Sequence, residues 1–160
     1  MIKSGDKFFP FYLTLFLQGN KMRSIVYVDG KSSPAIFDSN KDDVRIVDEK
    51  EIDSLPDAVF EEIELIDVLE FSEDNLILQK VLRKMRHGGK IRIVGNDALQ
   101  VLSAAYNGVC TLEQASDLIL DGRKRLISAH KVRDMLGSVG LKVTMVGIVG
   151  NRYSLEAQRQ

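Results

Sequence analysis

The two stretches that decide the fold are IELIDVLE at residues 63–70 and VLRKMRHGGKIRIV at residues 81–94. The run from Ile63 to Leu69 is apolar at most positions, as in a strand that is buried on both faces of a parallel sheet. Residues 90–94 predict a second strand of the same kind. A helix between these two strands would make a right-handed strand–helix–strand unit, which is typical of open α/β sheets.

The intervening sequence predicts that helix. Ser72 is suited to its N-cap, with two acidic residues directly after it. Gly88-Gly89 predicts its end. The apolar residues between these limits recur at helical spacing and are Leu78, Val81, Leu82 and Met85.

Downstream, three further helices are predicted by their caps. Asp97 precedes one, Thr111 with Gln114 forms a capping box for the next, and Ser128 precedes the last. Residues 141–149 and 152–158 then predict two strands, joined through Gly150-Asn151 in a tight hairpin.

Upstream, two shorter strands are predicted. Residues 24–28 are β-branched and aromatic and end at Asp29-Gly30, and residues 44–47 end at Asp48-Glu49. The connection between them is polar and predicts a loop. Residues 22–160 are therefore expected to form a single α/β domain, Rossmann-like, with a mostly parallel sheet and a C-terminal antiparallel hairpin.

The composition of the chain limits which classes of function it can have. The chain has 160 residues, 44% of them hydrophobic, and a net charge of −1, so it lacks the basic surface expected of a nucleic-acid binder. Cys110 is the single cysteine, which favours a cytoplasmic location. His87 and His130 are the two histidines, lie far apart in sequence and predict no metal site.

Residues 1–21 are interpreted as an N-terminal arm or extension. Phe8–Leu17 is an apolar run of ten residues, too short to cross a bilayer, and no signal-peptide cleavage site follows it. No membrane association is predicted. Such an arm could pack on its own sheet or join two subunits of a homo-oligomer, and Met22 is an alternative start of the chain.

Three segments in this order carry a family resemblance. SLPDAVFEEIELIDVLE at residues 54–70 resembles the fourth-strand region of class I S-adenosylmethionine-dependent methyltransferases. VLRKMRHGGKIRI at residues 81–93 resembles the family's helix, Gly-Gly turn and fifth strand. Residues 126–141 are similar to its last helix, which leads into the terminal hairpin. The resemblance covers residues 44–158 and implies S-adenosylmethionine as the cofactor.

The N-terminal half departs from this family. No Gly-x-Gly turn occurs before residue 88, although the family places a glycine-rich cofactor loop after its first strand. The strand that ends at Asp29 corresponds either to the family's shortened first strand or to its second strand, whose terminal acid binds the ribose hydroxyls. The resemblance therefore implies a domain truncated in its cofactor-binding half.

The resemblance assigns candidate site residues. For the cofactor they are Asp29 at the ribose with Gly30 beside it, Asp48 and Glu49 near the adenine, and Asp67 and Val68 within the buried strand. On the substrate side they are Glu70, Asp97 and, as a conceivable general base, His130. No residue is assigned as catalytic.

Arg123-Lys124-Arg125 is a short basic run that could hold a phosphate or carboxylate, although a solvated loop is the simpler interpretation. Two functions stay open. One is a small methyltransferase that acts on a small or sugar-like acceptor. The other is a methyltransferase-like binding or assembly module that has lost the cofactor loop.

Overall fold

The structure, a computed structural model, describes residues 23–27 and 44–160. Its described strands form one six-stranded sheet in the order β2-β1-β3-β4-β6-β5. The strands are β1 (Arg23–Tyr27), β2 (Val44–Asp48), β3 (Phe60–Ile66), β4 (Met85–Asn96), β5 (Leu141–Val149) and β6 (Arg152–Arg159). Asp29, Gly30 and the apolar arm Phe8–Leu17 lie outside the described residues.

The sheet is parallel from β2 to β4 and antiparallel at its other end. β1 pairs in parallel with β2 and with β3, and β3 pairs in parallel with β4. β6 lies between β4 and β5 and runs antiparallel to both. The predicted α/β class, the mostly parallel sheet and the C-terminal hairpin are confirmed.

Five α-helices and one 3₁₀ helix connect the described strands. The 3₁₀ helix is Glu49–Ser54, and the α-helices are α1 (Val68–Phe71), α2 (Ile77–Lys84), α3 (Ala98–Tyr106), α4 (Leu112–Leu120) and α5 (Ala129–Ser138). The predicted caps of the last three helices are confirmed, including the reciprocal capping box of Thr111 and Gln114. At ten residues, α5 is the longest described helix and is about half as long as a bilayer crossing requires.

The segment after β3 differs from the prediction. β3 ends at Ile66 rather than at Leu69, because Asp67 adopts a left-handed conformation with a φ of 54° and Val68 begins α1. This turn carries the chain from the sheet edge onto its face. Apolar content alone cannot distinguish the end of a buried strand from the start of a buried helix.

The bounds of the next helix are also corrected. α2 begins at Ile77 rather than after Ser72, whose hydroxyl instead accepts a hydrogen bond of 3.1 Å from the Asp74 N–H in a tight turn. It ends at Lys84, so Gly88-Gly89 lies within β4 rather than at a helix terminus. Pairing with β3 becomes regular only from Lys90.

The core lies between the sheet and the helices that pack on its faces. Phe60, Leu65, Val81 and Leu136 are fully buried in one cluster with the inward residues of β4 and β6. Helix α3 contributes little to this core, because Val101 is its single buried residue. The candidate site lies outside this core, at the edge where the parallel strands end.

Candidate functional site

The strand order reverses between β1 and β3. From β1 the chain moves outward to β2, returns to β3 on the other side of β1, and then continues to β4. In open α/β sheets a ligand binds outside the carboxyl ends of the strands at such a reversal. β1 lies at this reversal, which is also where the first strand of a doubly wound sheet lies.

Two predicted cofactor residues lie at the end of β2, where Asp48 is the last residue of the strand and Glu49 begins the 3₁₀ helix. The Asp48 carboxylate caps the 3₁₀ helix by accepting a hydrogen bond of 2.9 Å from the Lys50 N–H. Glu49 is half-buried, and its Oε2 is buried without a hydrogen-bond partner among the described residues. Glu51, in the same helix, is exposed. Glu49 therefore offers a free acceptor, whereas one oxygen of Asp48 is already occupied.

Asp67 lies at the end of β3 and is paired within the protein. Its two carboxylate oxygens accept hydrogen bonds of 2.8 and 3.3 Å from Arg152 at the start of β6. Arg152 also donates to Asn96 Oδ1 at 3.3 Å. This pair ties the ends of β3, β4 and β6 together. Val68, the next predicted cofactor residue, is only 1% exposed at the start of α1.

Glu70 is a buried carboxylate behind this pair. It is 1% exposed, and its Oε1 accepts a hydrogen bond of 3.0 Å from the Tyr153 hydroxyl. Its Oε2 has no partner in the described part of the chain. Burial raises the pKa of Glu70 to about 7, and the negative charge of Asp67 acts in the same direction.

Gly95 of β4 makes room for Glu70. A Cβ atom at this position would overlap Glu70 Oε1 and lie 2.5 Å from the Tyr153 hydroxyl oxygen. The absence of a side chain at residue 95 is therefore a condition for the Glu70–Tyr153 hydrogen bond.

The basic run between α4 and α5 is held against Glu70 and is not a freely solvated loop. The N–H groups of Lys124 and Arg125 donate to the Glu70 carbonyl oxygen at 2.7 and 3.3 Å. Arg125 Nη2 donates to the Ser72 carbonyl at 3.0 Å. The Arg123 guanidinium lies over the Phe71 ring, 4.9 Å from its centroid.

Asp97 is 2% exposed and its carboxylate is fully used by the fold. Oδ1 accepts from the Leu99 and Gln100 N–H groups at 2.9 and 3.2 Å, and Oδ2 accepts from the Ala129 N–H at 2.9 Å. Asp97 thus caps α3 and fixes the start of α5. His130 follows Ala129 in the first turn of α5, with an exposed side chain.

Replacing Asp97 with alanine is expected to lower the free energy of unfolding by about 2 kcal/mol, at the upper end for a lost helix cap, because three N–H groups lose their acceptor. Urea unfolding measures this change. Thr111→Ala is the matched control, since it removes an exposed cap of α4 and is expected to cost about 1 kcal/mol. Equal losses in the two variants would show that the bond to Ala129 contributes nothing.

The edge thus brings together Asp67, Glu70 and Asp97 of the predicted set, whereas Asp48 and Glu49 lie at the end of β2, which β1 separates from β3. Sequence reasoning missed Arg152 and Tyr153, which contact residues more than 80 positions away. A signal was present: an antiparallel strand beside β4 must begin at the edge where β4 ends. Both residues open the second strand of the predicted hairpin.

Neither a family model nor a curated protein matches the sequence. The fold does match solved structures. A Thermotoga maritima S-adenosylmethionine-dependent methyltransferase, described as a possible histamine N-methyltransferase, superposes with a TM-score of 0.60 and 14% identity, covering 93% of this chain and 88% of that one. A methyltransferase of the same cofactor class from Aquifex aeolicus gives a TM-score of 0.56 and 14% identity, covering 92% and 88%.

A third similar structure is the complex between the Haloferax volcanii Trm112 methyltransferase activator and a methyltransferase, with a TM-score of 0.54, 14% identity and coverage of 88% and 82%. At this identity the similarities establish the fold alone. It is the fold of the class I S-adenosylmethionine-dependent methyltransferases.

Proposed function

We propose that this chain, which has the class I methyltransferase fold, binds S-adenosylmethionine at the carboxyl ends of β1 and β2 and methylates a small or sugar-like acceptor on the β3–β4 side. The observation that supports this most directly is the unpartnered carboxylate oxygen of Glu49 at the end of β2. It lies beside the strand-order reversal, where this kind of sheet binds ligands.

Glu49 fits a ribose. A buried carboxylate oxygen without a partner is costly, so a ligand donor there is expected to bind well. Ribose presents two adjacent hydroxyls, and in dinucleotide-binding folds an acid about 20 residues beyond the first strand accepts hydrogen bonds from them. Glu49 lies at such a distance from β1, and Asp48 offers a second carboxylate. The proposal gives the ribose contact to these two residues, whereas the resemblance implies an adenine contact for them.

The chemistry asks little of the protein beyond placement. The bound cofactor supplies an electrophilic methyl group, and alignment of an acceptor with it can provide much of the rate acceleration. The chain's own contribution on the acceptor side is a rigid edge, in which Arg152 fixes Asp67 and Tyr153 orients Glu70. The class of acceptor is part of this proposal. So are contacts between the cofactor and residues Asp29 and Gly30.

Isothermal titration with S-adenosylmethionine and S-adenosylhomocysteine tests the cofactor site. Both ligands are expected to bind, and Glu49→Gln is expected to weaken binding about tenfold because a neutral amide oxygen accepts less strongly than a carboxylate. Glu51→Gln is the matched control, an exposed acid of the same helix whose replacement should leave affinity within about twofold.

Absence of binding to either ligand at millimolar concentration would contradict the enzyme hypothesis. Binding that Glu49→Gln and Asp48→Ala leave unchanged would instead place the ribose elsewhere. Methylation of a candidate acceptor needs to be followed only once binding is established.

A second candidate function is a non-catalytic binding or assembly module, and the β5 strand favours it. β5 is an edge of the described sheet, and its second half exposes the apolar side chains Met145, Val146, Ile148 and Val149. Exposed apolar edge strands readily pair with another chain. One similar structure is a methyltransferase bound to an activator protein. A monodisperse monomer by light scattering that binds the cofactor would count against this alternative.

A further inference from the structure

We infer that the recess between the 123–125 connection and the end of α1 binds the carboxylate of a small hydroxylated acid, and that this group belongs to the methyl acceptor. The inference rests on the proposed function only for the role of the ligand. The binding site itself follows from two unpartnered groups that line one recess, Arg123 and Glu70.

Arg123 supplies free donors. Its Nε and Nη1 atoms are buried and have no hydrogen-bond partner among the described residues. The guanidinium lies over the Phe71 ring, a contact that satisfies none of its N–H donors. Buried N–H groups without acceptors are costly, and a guanidinium is geometrically matched to a carboxylate.

The connection that carries Arg123 is held in place. The next two residues donate their backbone N–H groups to the Glu70 carbonyl, and Arg125 also binds the Ser72 carbonyl. The neighbouring Lys124 side chain points its charge to Glu73, with an ion pair of 3.0 Å between exposed groups. Arg123 is thus the cation of this run that has buried donors without a partner among the described residues.

Glu70 adds an acceptor to the same recess. Its Oε1 is engaged by Tyr153, whereas its Oε2 is buried and unpartnered. Arg123 forms no ion pair with Glu70 within 4.0 Å, so the two charges do not satisfy each other directly. A ligand that satisfies both side chains must present an anionic acceptor to the N–H donors of Arg123 and a hydrogen-bond donor to Glu70 Oε2.

The other lining residues limit the size of that ligand. Leu118, Leu126 and Ile127 line the recess with apolar side chains, of which Leu118 and Leu126 are also exposed to solvent, and Asn96 adds one polar side chain. The space is small, so it holds the end of an acceptor rather than a whole molecule. A carboxylate next to a hydroxyl meets these conditions, and a sugar acid carries both groups.

Glycolate is the smallest probe of this class, with acetate lacking the hydroxyl and ethylene glycol lacking the charge. We expect glycolate to bind the full chain with a dissociation constant in the range of about millimolar, given its few atoms. The affinity should fall from glycolate to acetate to ethylene glycol. Nuclear magnetic resonance titration, observed at the arginine Nε–H signals, measures each constant.

Arg123→Gln is expected to weaken glycolate binding at least about tenfold, because a charge-assisted pair is lost. Arg133→Gln is the matched control, an exposed arginine of α5 that pairs with its neighbour Asp134, and should leave the constant unchanged. Equal affinities for glycolate and ethylene glycol, no binding of glycolate, or an unchanged constant in Arg123→Gln would each overturn the inference.

Titration of the same Arg123→Gln protein with S-adenosylhomocysteine separates this site from the proposed function. Unchanged binding of that ligand beside lost glycolate binding is the expected result. If glycolate binds through Arg123 but wild-type protein does not bind S-adenosylhomocysteine, the recess is a ligand site and the methyltransferase proposal fails.

Discussion

The Gly95→Ala variant is expected to lose about 3 kcal/mol of unfolding free energy, the upper end for an overpacked core. The added methyl would overlap Glu70 Oε1 and lie 2.5 Å from the Tyr153 hydroxyl oxygen. Neither neighbour can yield easily, since Glu70 is 1% exposed and Tyr153 is 1% exposed. Urea unfolding followed by circular dichroism measures the loss.

A matched control is available in helix α5. A Cβ atom at Gly137 meets nothing within 4 Å, so Gly137→Ala should stabilise the protein by roughly 0.5–1 kcal/mol through its higher helix propensity. The cause of the loss at Gly95 is tested by adding Glu70→Ala, which removes the overlapping carboxylate. The double variant should lose less than the sum of the two single variants. Simple additivity would mean that the methyl group does not meet Glu70.

The second large effect is a pH dependence that Glu70→Gln removes. Burial raises the pKa of Glu70 from an ordinary 4.5 to about 7 in the folded protein. Below pH 4.5 the carboxyl is protonated in both states and costs nothing. Between pH 4.5 and about 7 the unfolded chain releases the proton and the folded chain holds it, so stability falls as pH rises.

This loss of unfolding free energy is complete above about pH 7. It amounts to about 3 kcal/mol, given the gap between the pKa values of Glu70 in the unfolded and folded protein. Glutamine keeps the acceptor for Tyr153 but cannot ionise, so Glu70→Gln should lack this part of the slope. Urea unfolding of both proteins at pH 5 and pH 8 measures the difference. The unfolding free energy of the wild-type protein should fall more between pH 5 and pH 8 than that of Glu70→Gln. Equal changes in the two proteins would show that Glu70 is paired in solution.

The fold could be predicted further than the site because periodicity and caps act locally. Asp97, Thr111 and Ser128 each mark a helix start within one residue. Local patterns failed between Ile66 and Ile77. There, a left-handed Asp67 divides one apolar run between a strand and a short helix, and Ser72 forms a turn rather than a cap.

The site depends on contacts between distant segments, which composition does not encode. Asp67 and Glu70 were predicted as ligand residues, yet their partners Arg152 and Tyr153 lie on the strand that joins the sheet last in sequence. The interpretation of 123–125 as a solvated loop failed for the same reason, since its anchor is the Glu70 carbonyl. Side chains near one strand end could be predicted, but not their pairing.

The position of β6 sets an order of assembly. β6 lies between β4 and β5, and it pairs Asn96 with Arg152 and Lys90 with Gln158. While α3 to α5 are being synthesised, the edge of β4 that will pair with β6 therefore has no partner, and its backbone groups face solvent. Contacts between such distant residues form late and slow folding, and an unpaired strand edge invites aggregation. The β4 edge is thus expected to favour aggregation until residues 152–159 pair with it.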